Sequence, residues 1–233
     1  MTEKHLSSQF DNDLNSVCSR LMEMGGLVET QIQRAINSLA DFSLADINDV
    51  LDTETRVDQM EVEIDRALTA VVARRQPAAR DLRLLLAISK ITSNLERAGD
   101  EAYKLGKRVK SLVESGETRQ MPIADLRVAS DLAACLIHRA LDAFARLDVT
   151  AAIAIYREDD VIDREFKGFV RKLVTYMMED PQTISSCLDL LFIAKAIERI
   201  GDHAKNISEY IIYIVHGTDV RHSKLKGIEA IIQ

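Results

Sequence analysis

The sequence predicts an all-α protein, a tandem repeat of two antiparallel three-helix bundles whose six long helices are related by pseudo-symmetry. Apolar residues recur with a period of about 3.5 residues along most of the chain, as in long helices packed side by side. The 233 residues include only three prolines and nine glycines, so few positions can end a helix. The second half of the chain also repeats the first. No stretch alternates apolar and polar residues convincingly, and we therefore predict no sheet.

The helix boundaries of the first half follow from the turn-forming residues between its apolar segments. We predict three helices there, at residues 8–42, 45–75 and 79–114. Ser43 is placed to cap the second helix, and Pro77 lies in the turn before the third. Gly25 and Gly26 fall inside the first helix, and we expect them to kink or interrupt it.

The second half follows the same order. Its predicted helices lie at residues 123–147, 149–179 and 183–216. Asp148 is a suitable N-cap for the middle helix, and Pro181 precedes the last. We place the domain boundary in the polar segment 115–122. The N-terminal three-helix bundle then occupies 1–116, and the C-terminal bundle with a short tail occupies 117–233.

The repeat is visible in aligned residues as well as in the helix pattern. Asp58 aligns with Asp163 at an offset of 105 residues, and the hexapeptide LERAGD at 95–100 recurs as IERIGD at 197–202, an offset of 102. The change of offset falls near two prolines, where a loop absorbs it. The chain is therefore predicted to be a tandem duplication of a three-helix unit.

Both hexapeptides place two carboxylates four residues apart on one helix face, and the second helix of each half repeats this spacing. The candidate site residues are these four acid pairs: Glu54 and Asp58, Glu96 and Asp100, Asp159 and Asp163, and Glu198 and Asp202. Like charges at this spacing cost a few tenths of a kcal/mol, and glycine within a helix costs about 1 kcal/mol relative to alanine. A chain that repeats both features in register is expected to use them.

The placement of the pairs suggests a metal site. The acids on the third helices fall at outward positions beside the apolar seam, but Asp159 interrupts an apolar row, where a carboxylate is costly unless a cation lies near it. Because the second and third helices of each half are antiparallel neighbours, we expect their acid pairs to face each other. Four clustered carboxylates repel one another, and a multivalent cation such as Mg²⁺, Ca²⁺, Mn²⁺ or iron cancels that repulsion. The alternative is a solvated acidic face.

Composition and charge exclude several classes of partner. A formal net charge of −7 argues against nucleic acid and against unaided binding to anionic lipid. Cys18, Cys135 and Cys187 form no CxxC pair, so we expect reduced thiols in a cytosolic protein. No apolar run reaches the roughly 18 residues of a membrane span, and the polar start does not look like a signal peptide. We expect a soluble cytoplasmic protein without a transmembrane segment.

The residues leave more than one function open. There is no Gly-rich phosphate loop and no GxSxG motif, which favours a regulatory or binding protein over an enzyme. A metal-dependent hydrolase or di-iron enzyme is one alternative, since a metal-bound water can attack a phosphoester. A carboxylate-bridged metal storage protein or an acidic helical scaffold is another. His203 is either a nitrogen ligand or a surface histidine, and Arg97 and Arg199 either contact an anion or partner or form local ion pairs.

The duplicated ERAGD and ERIGD motifs, with the acid pairs on the second helices, resemble the PhoU family of phosphate-signalling proteins over about residues 8 to 216. The resemblance implies an all-helical, non-enzymatic protein whose eight acids hold multinuclear clusters of iron, zinc, manganese or magnesium. It implies a negative regulator of the phosphate-starvation response that links the ATPase subunit of the phosphate ABC transporter to a sensor histidine kinase. Such proteins often form homodimers, are cytoplasmic, and reach the inner membrane through these partners.

Overall fold

The computed structural model describes residues 7–75, 77, 79–116, 122–221, 223, 225 and 227–228. Within them the chain forms six long helices and no strand: α1 Ser7–Asp41, α2 Leu44–Arg75, α3 Ala79–Ser115, α4 Arg127–Arg146, α5 Val149–Glu179 and α6 Ile184–His216. Short 3-10 turns at Ile123–Leu126 and Pro181–Thr183 precede α4 and α6. The predicted all-α architecture with six helices is confirmed, with boundaries within a few residues of those expected.

The predicted caps are present. The Asp148 side chain accepts a hydrogen bond from the backbone N–H of Ala151 at 3.0 Å, and the Ser43 hydroxyl accepts one from the N–H of Asp46 at 3.3 Å. Each contact satisfies a backbone donor that the first turn of a helix would otherwise leave unpaired.

The expectation that Gly25 and Gly26 interrupt α1 is wrong, because α1 runs unbroken through both. A Cβ atom at Gly25 would lie 2.4 Å from Leu141 Cδ2 on α4. Gly25 is therefore the point of close approach between α1 and α4, and packing against the other half of the molecule explains it better than a break in the helix.

The three helices of each half pack against one another, and the two halves share an apolar core. Between the halves, α3 runs along α6 in the most extensive helix contact of the fold, and α1 touches α4. Ile91 and Leu95 of α3, and Ile193 and Ile200 of α6, are completely buried along the predicted seams. The two duplicated hexapeptides therefore lie on the helices that join the halves.

The predicted boundary between 1–116 and 117–233 falls where α3 ends. Gly116 follows α3 with a positive φ of 72°, and the described chain resumes at Pro122. Residues 117–121 of the predicted linker lie outside the described residues, as do His222, Lys224 and Lys226 of the tail. None of the helices described is long and apolar enough to cross a bilayer.

Candidate functional site

The structure brings the acids of α2 and α3 together into one group, the first acidic cluster. Its members are Glu54, Asp58 and Glu61 of α2 and Glu96 and Asp100 of α3. Burial raises the pKa of Glu54 to about 7, and a hydrogen bond with the Asp100 carboxyl group and the nearby charges of Asp100 and Asp58 act in the same direction. Acids from facing helices thus interact directly, as their spacing predicted.

Glu96 responds to the same neighbours. Burial raises the pKa of Glu96, and the charges of Glu61, Asp100 and Asp58 raise it further. Glu61 was not among the predicted site residues. Its signal in the sequence is its place on α2, seven residues after Glu54 and therefore on the same face of the helix.

A buried glutamine of α1 completes this cluster. Gln31 is 1% exposed, and its Nε2 donates hydrogen bonds to Glu54 Oε2 at 2.8 Å and to the carbonyl oxygen of Val50 at 3.2 Å. Its Oε1 is buried without a hydrogen-bond partner among the residues described. A Cβ at Gly99 would lie 2.9 Å from that oxygen, so the motif glycine leaves space for the amide. Gln31 was missed; a polar residue within the apolar stripe of α1 is the signal that marks it.

The second acidic cluster consists of Asp159 and Asp163 of α5 with Glu198 and Asp202 of α6. Asp159 is only 2% exposed, and burial raises its pKa while Lys205 lowers it. The Lys205 ammonium donates to Asp159 Oδ2 at 2.8 Å. The cation that an acid in the apolar row requires is therefore supplied by α6.

Asp202 and Gly201 show how closely α5 and α6 approach in this cluster. Burial raises the pKa of Asp202 to about 6, with Glu198, Asp159 and Asp163 adding to the shift and Lys205 opposing it. A Cβ at Gly201 would lie 3.1 Å from Asp159 Oδ1 and 2.7 Å from Ile162 Cδ1. Gly201 thus provides room for side chains of α5, whereas Gly99 provides room for the Gln31 amide of α1.

Two lysines of the second cluster were not predicted. Lys195 donates to Glu198 Oε1 at 2.6 Å and lies 5.3 Å from the centre of the Phe166 ring, while Lys205 lies 4.7 Å from the centre of the Tyr156 ring. Each ammonium group is thus held by an aromatic face as well as by a carboxylate. The sequence signal was local, since Lys195 precedes Glu198 by three residues and Lys205 follows Asp202 by three.

The exposure of the eight predicted acids is uneven. Asp58 is exposed, Asp159 is buried, and the other six are partly buried. The outward placement expected for the acids of α3 and α6 therefore holds only in part, because the neighbouring helix covers one side of each acid pair.

The two clusters differ in how well they suit a metal ion. Among the residues described, no three histidine, cysteine, aspartate or glutamate side chains converge on one point, so holding an ion requires these side chains to rotate. The first cluster offers carboxylate oxygens and the unpaired amide oxygen of Gln31, the donors that hard cations prefer. In the second, Asp159 and Glu198 are already paired with lysines.

A groove of about 540 Å³ separates the hexapeptides at the contact between the halves. It is lined by Arg97, Asp100, Glu101 and Lys104 of α3 and by Arg199, Asp202, His203 and Asn206 of α6. Arg199 Nη1 donates to Glu101 Oε1 at 3.1 Å, so this arginine forms an ion pair between the halves. Arg97 is exposed and makes no ion pair with any residue described.

His203 lies in this groove and outside the second acidic cluster. Its Nδ1 and the Asn94 side-chain oxygen are 3.1 Å apart. Burial lowers the pKa of His203 to about 4, with Arg97 and Arg199 adding to the effect and Glu101 opposing it. The imidazole is therefore neutral at neutral pH, and the side chain with which it forms a hydrogen bond is Asn94.

Comparison with known proteins gives consistent matches over nearly the whole chain. The family model described as "PhoU domain" matches twice, at residues 21–109 and 126–211. A phosphate-specific transport system accessory protein PhoU homolog of a Burkholderia species is 50% identical over 223 residues, which cover 95% of each chain.

Two solved structures have the same fold. The crystal structure of PhoU from Pseudomonas aeruginosa superposes with a TM-score of 0.87 at 44% identity, covering 90% of this chain and 100% of that one. The phosphate transport system regulatory protein PhoU from Streptococcus pneumoniae superposes with a TM-score of 0.83 at 25% identity, covering 91% and 99%. The double match of the family model also agrees with the tandem duplication read from the hexapeptides.

Proposed function

The chain belongs to the PhoU family, and we propose that it is a regulatory accessory protein of a phosphate transport system rather than an enzyme. One observation carries this proposal: the 50% identity to a phosphate-specific transport system accessory protein, which extends over 95% of both chains.

In this role the protein acts as a negative regulator of the phosphate-starvation regulon. It works in the cytoplasm as an adaptor between the ATPase subunit of a phosphate ABC transporter and a phosphate-sensing histidine kinase, reaches the inner membrane through them, and forms a homodimer. The fold is compatible with an adaptor, because the two helical bundles pack together along α3 and α6 and share one apolar core.

The proposed function includes binding of a multivalent cation, of which iron, zinc, manganese and magnesium are the candidates. The support is electrostatic. Burial raises the pKa of Glu54 to about 7, and the Asp100 carboxyl group on a different helix and the Asp58 charge act in the same direction. A bound cation supplies the positive charge that such a group otherwise obtains only by taking up protons.

Deletion of the gene tests the regulatory role. In phosphate-rich medium, a deletion strain is expected to express a phosphate-starvation reporter that the parent strain represses, and the gene supplied in trans should restore repression. Normal repression in the deletion strain would reject the assignment.

Metal analysis tests cation binding and separates it from enzymatic alternatives. The purified protein should contain more metal than a Glu96→Ala/Asp100→Ala/Glu198→Ala/Asp202→Ala variant. If the metal-loaded protein turned over a generic phosphoester, and Asp100→Ala abolished that turnover, the protein would be a metal-dependent hydrolase. Metal binding with normal repression in the deletion strain would instead indicate a storage protein.

A further inference from the structure

We propose that the two acidic clusters are not equivalent: the first takes a multivalent cation, and the second carries its counter-ions in the chain, as Lys195 and Lys205, and takes none. This inference rests on the cation binding of the proposed function and adds which half of the molecule performs it. It depends on differences between residues at duplicated positions.

The first difference concerns Lys195. The residue of α3 that corresponds to Lys195 is Ser93. Phe166 of α5 lies beside Lys195, and the residue of α2 that corresponds to Phe166 is Glu61. Ser93 Oγ donates to Glu61 Oε1 at 3.2 Å. Where the second half has an ammonium group beside an aromatic ring, the first half therefore has a hydroxyl group and an additional carboxylate.

The second difference concerns Lys205. The residue of α3 that corresponds to Lys205 is Tyr103. Tyr156 of α5 lies beside Lys205, and the residue of α2 that corresponds to Tyr156 is Leu51. The ammonium group that pairs with Asp159 at 2.8 Å therefore has no equivalent near Glu54. Glu54 receives a hydrogen bond from the neutral amide of Gln31 in its place.

These substitutions leave the carboxylates of the two clusters with different partners. Among the residues described, the only lysine or arginine within ion-pair distance of the first cluster's carboxylates is Lys104, at 3.4 Å from Asp100 Oδ2. In the second cluster, Asp159 and Glu198 are each paired with a lysine of α6. The second cluster therefore carries more of its own counter-ions, and an external cation is favoured in the first.

A further oxygen donor points to the same half. Gln31 Oε1 is buried without a hydrogen-bond partner among the residues described, although its amide adjoins Glu54. A buried carbonyl oxygen without a hydrogen-bond partner is destabilising, and a bound cation relieves that cost. The duplicated position of α4 is Leu136, so the second cluster has no such donor.

The second cluster also lacks space for an ion beside Asp159. Lys205 occupies one carboxylate oxygen, and Gly201 approaches the other so closely that a Cβ would lie 3.1 Å from it. An ion entering there would have to displace Lys205 and leave its ammonium group partly buried beside the Tyr156 ring. That displacement would break the ion pair between Lys205 and Asp159, and this loss opposes metal binding at the second cluster.

The experiment compares matched variants of the full-length protein. Chelator-stripped protein is dialysed against manganese, iron, zinc or magnesium in turn, and metal per chain is measured by mass spectrometry together with the shift in Tm. Asp58→Asn/Asp100→Asn should lose the bound ion and the Tm shift, whereas Asp163→Asn/Asp202→Asn should keep the wild-type metal content. Circular dichroism verifies that each variant is folded.

A charge transplant provides a second test that removes no carboxylate. Ser93→Lys places an ammonium group three residues before Glu96, as Lys195 lies before Glu198, and should weaken metal binding by about 10–100-fold. An unchanged affinity would overturn the proposal even if the carboxylate variants failed to fold.

The possible results separate this inference from the proposed function. If the two carboxylate variants lost metal equally, or if only the Asp163→Asn/Asp202→Asn variant lost it, the proposed difference between the clusters would be wrong. Cation binding by the protein would still hold. If the wild-type protein took up none of the four metals, cation binding and this inference would both fail. The regulatory role would still be judged separately by the deletion strain.

Discussion

Lys205 on α6 donates a hydrogen bond to Asp159 on α5 at 2.8 Å, and the carboxylate that it contacts is almost completely buried. At the duplicated position of the first half, Glu54 receives a hydrogen bond of the same length from the uncharged amide of Gln31. One duplicated position is therefore stabilised in two different ways, by an internal ion pair in one half and by a hydrogen bond from a neutral amide in the other.

The ion pair between Lys205 and Asp159 predicts that removing the lysine makes the protein much less stable. Lys205→Met leaves the Asp159 carboxylate buried without its cation and should lower the free energy of unfolding by about 3 kcal/mol, measured by urea denaturation at pH 7. Asp159→Leu/Lys205→Met, which removes both charges, should recover most of the loss. Lys167→Met, at an exposed position of α5, is the control and should change stability by less than about 0.5 kcal/mol. A Lys205→Met protein as stable as the control would contradict the structural role of the pair.

The raised pKa of the buried Glu209 carboxyl group predicts that the free energy of unfolding decreases as the pH rises. This acid is 9% exposed, and burial raises its pKa to about 7, with Asp219 and Asp159 in the same direction and Lys205 and Arg221 opposing it. The ordinary glutamate pKa is 4.5. Between these two values the folded protein keeps a proton that the unfolded chain loses. This residue's contribution to stability is therefore complete below pH 4.5 and lost as the pH rises to about 7.

The corresponding experiment uses Glu209→Gln. In the presence of a chelator, this variant should be more stable than the wild type by about 2 kcal/mol at pH 8, with the difference disappearing near pH 4.5. Urea denaturation at the two pH values measures it, and Glu165→Gln on the exposed surface of α5 is the matched control. An equal difference between variant and wild type at both pH values would exclude titration of Glu209 as the cause.

Replacement of glycine by alanine should have opposite effects on stability at Gly201, the motif glycine of α6, and at Gly168 of α5. Gly201→Ala would place a Cβ 2.7 Å from Ile162 Cδ1 and 3.1 Å from Asp159 Oδ1, and should destabilise the protein by about 1–3 kcal/mol, because these buried side chains must shift. A Cβ at Gly168, in α5, meets no atom within 4 Å, and Gly168→Ala should stabilise the helix by up to about 1 kcal/mol. Thermal unfolding of both variants measures the two changes. Stabilisation by both would mean that the motif glycine has no packing role.

The two motif arginines predict unequal effects despite their equivalent places in the duplication. Arg199 pairs across the halves with Glu101, whose side chain is 8% exposed and also bonds Lys104. Arg199→Ala should lower the free energy of unfolding by about 1 kcal/mol, since half of the arginine side chain is in water and Lys104 remains. Arg97→Ala should have an effect below about 0.5 kcal/mol. Denaturant titration of the two variants checks this, and an equal loss would show that Arg97 also contributes to the contact between the halves.

Local features of this molecule could be predicted because their cause is local. The helix boundaries depend on caps such as Asp148 and on the apolar period, and the acid pairs share a helix face because their spacing is four residues. The interruption expected at Gly25 failed for the opposite reason. A glycine is permissive in itself, and its use here is set by Leu141, which lies more than 100 residues away in the chain.

The sequence by itself determined the helices, the duplication and the family, together with the positions at which carboxylates are concentrated. Only the tertiary structure decided that Lys205 reaches Asp159, that Gln31 reaches Glu54, and that a lysine consequently neutralises one of these two acids and not the other. The physical reason is that charge compensation depends on distances of a few ångströms between side chains of different helices. Helix periodicity specifies the face on which a side chain lies, and packing specifies which side chain it meets there.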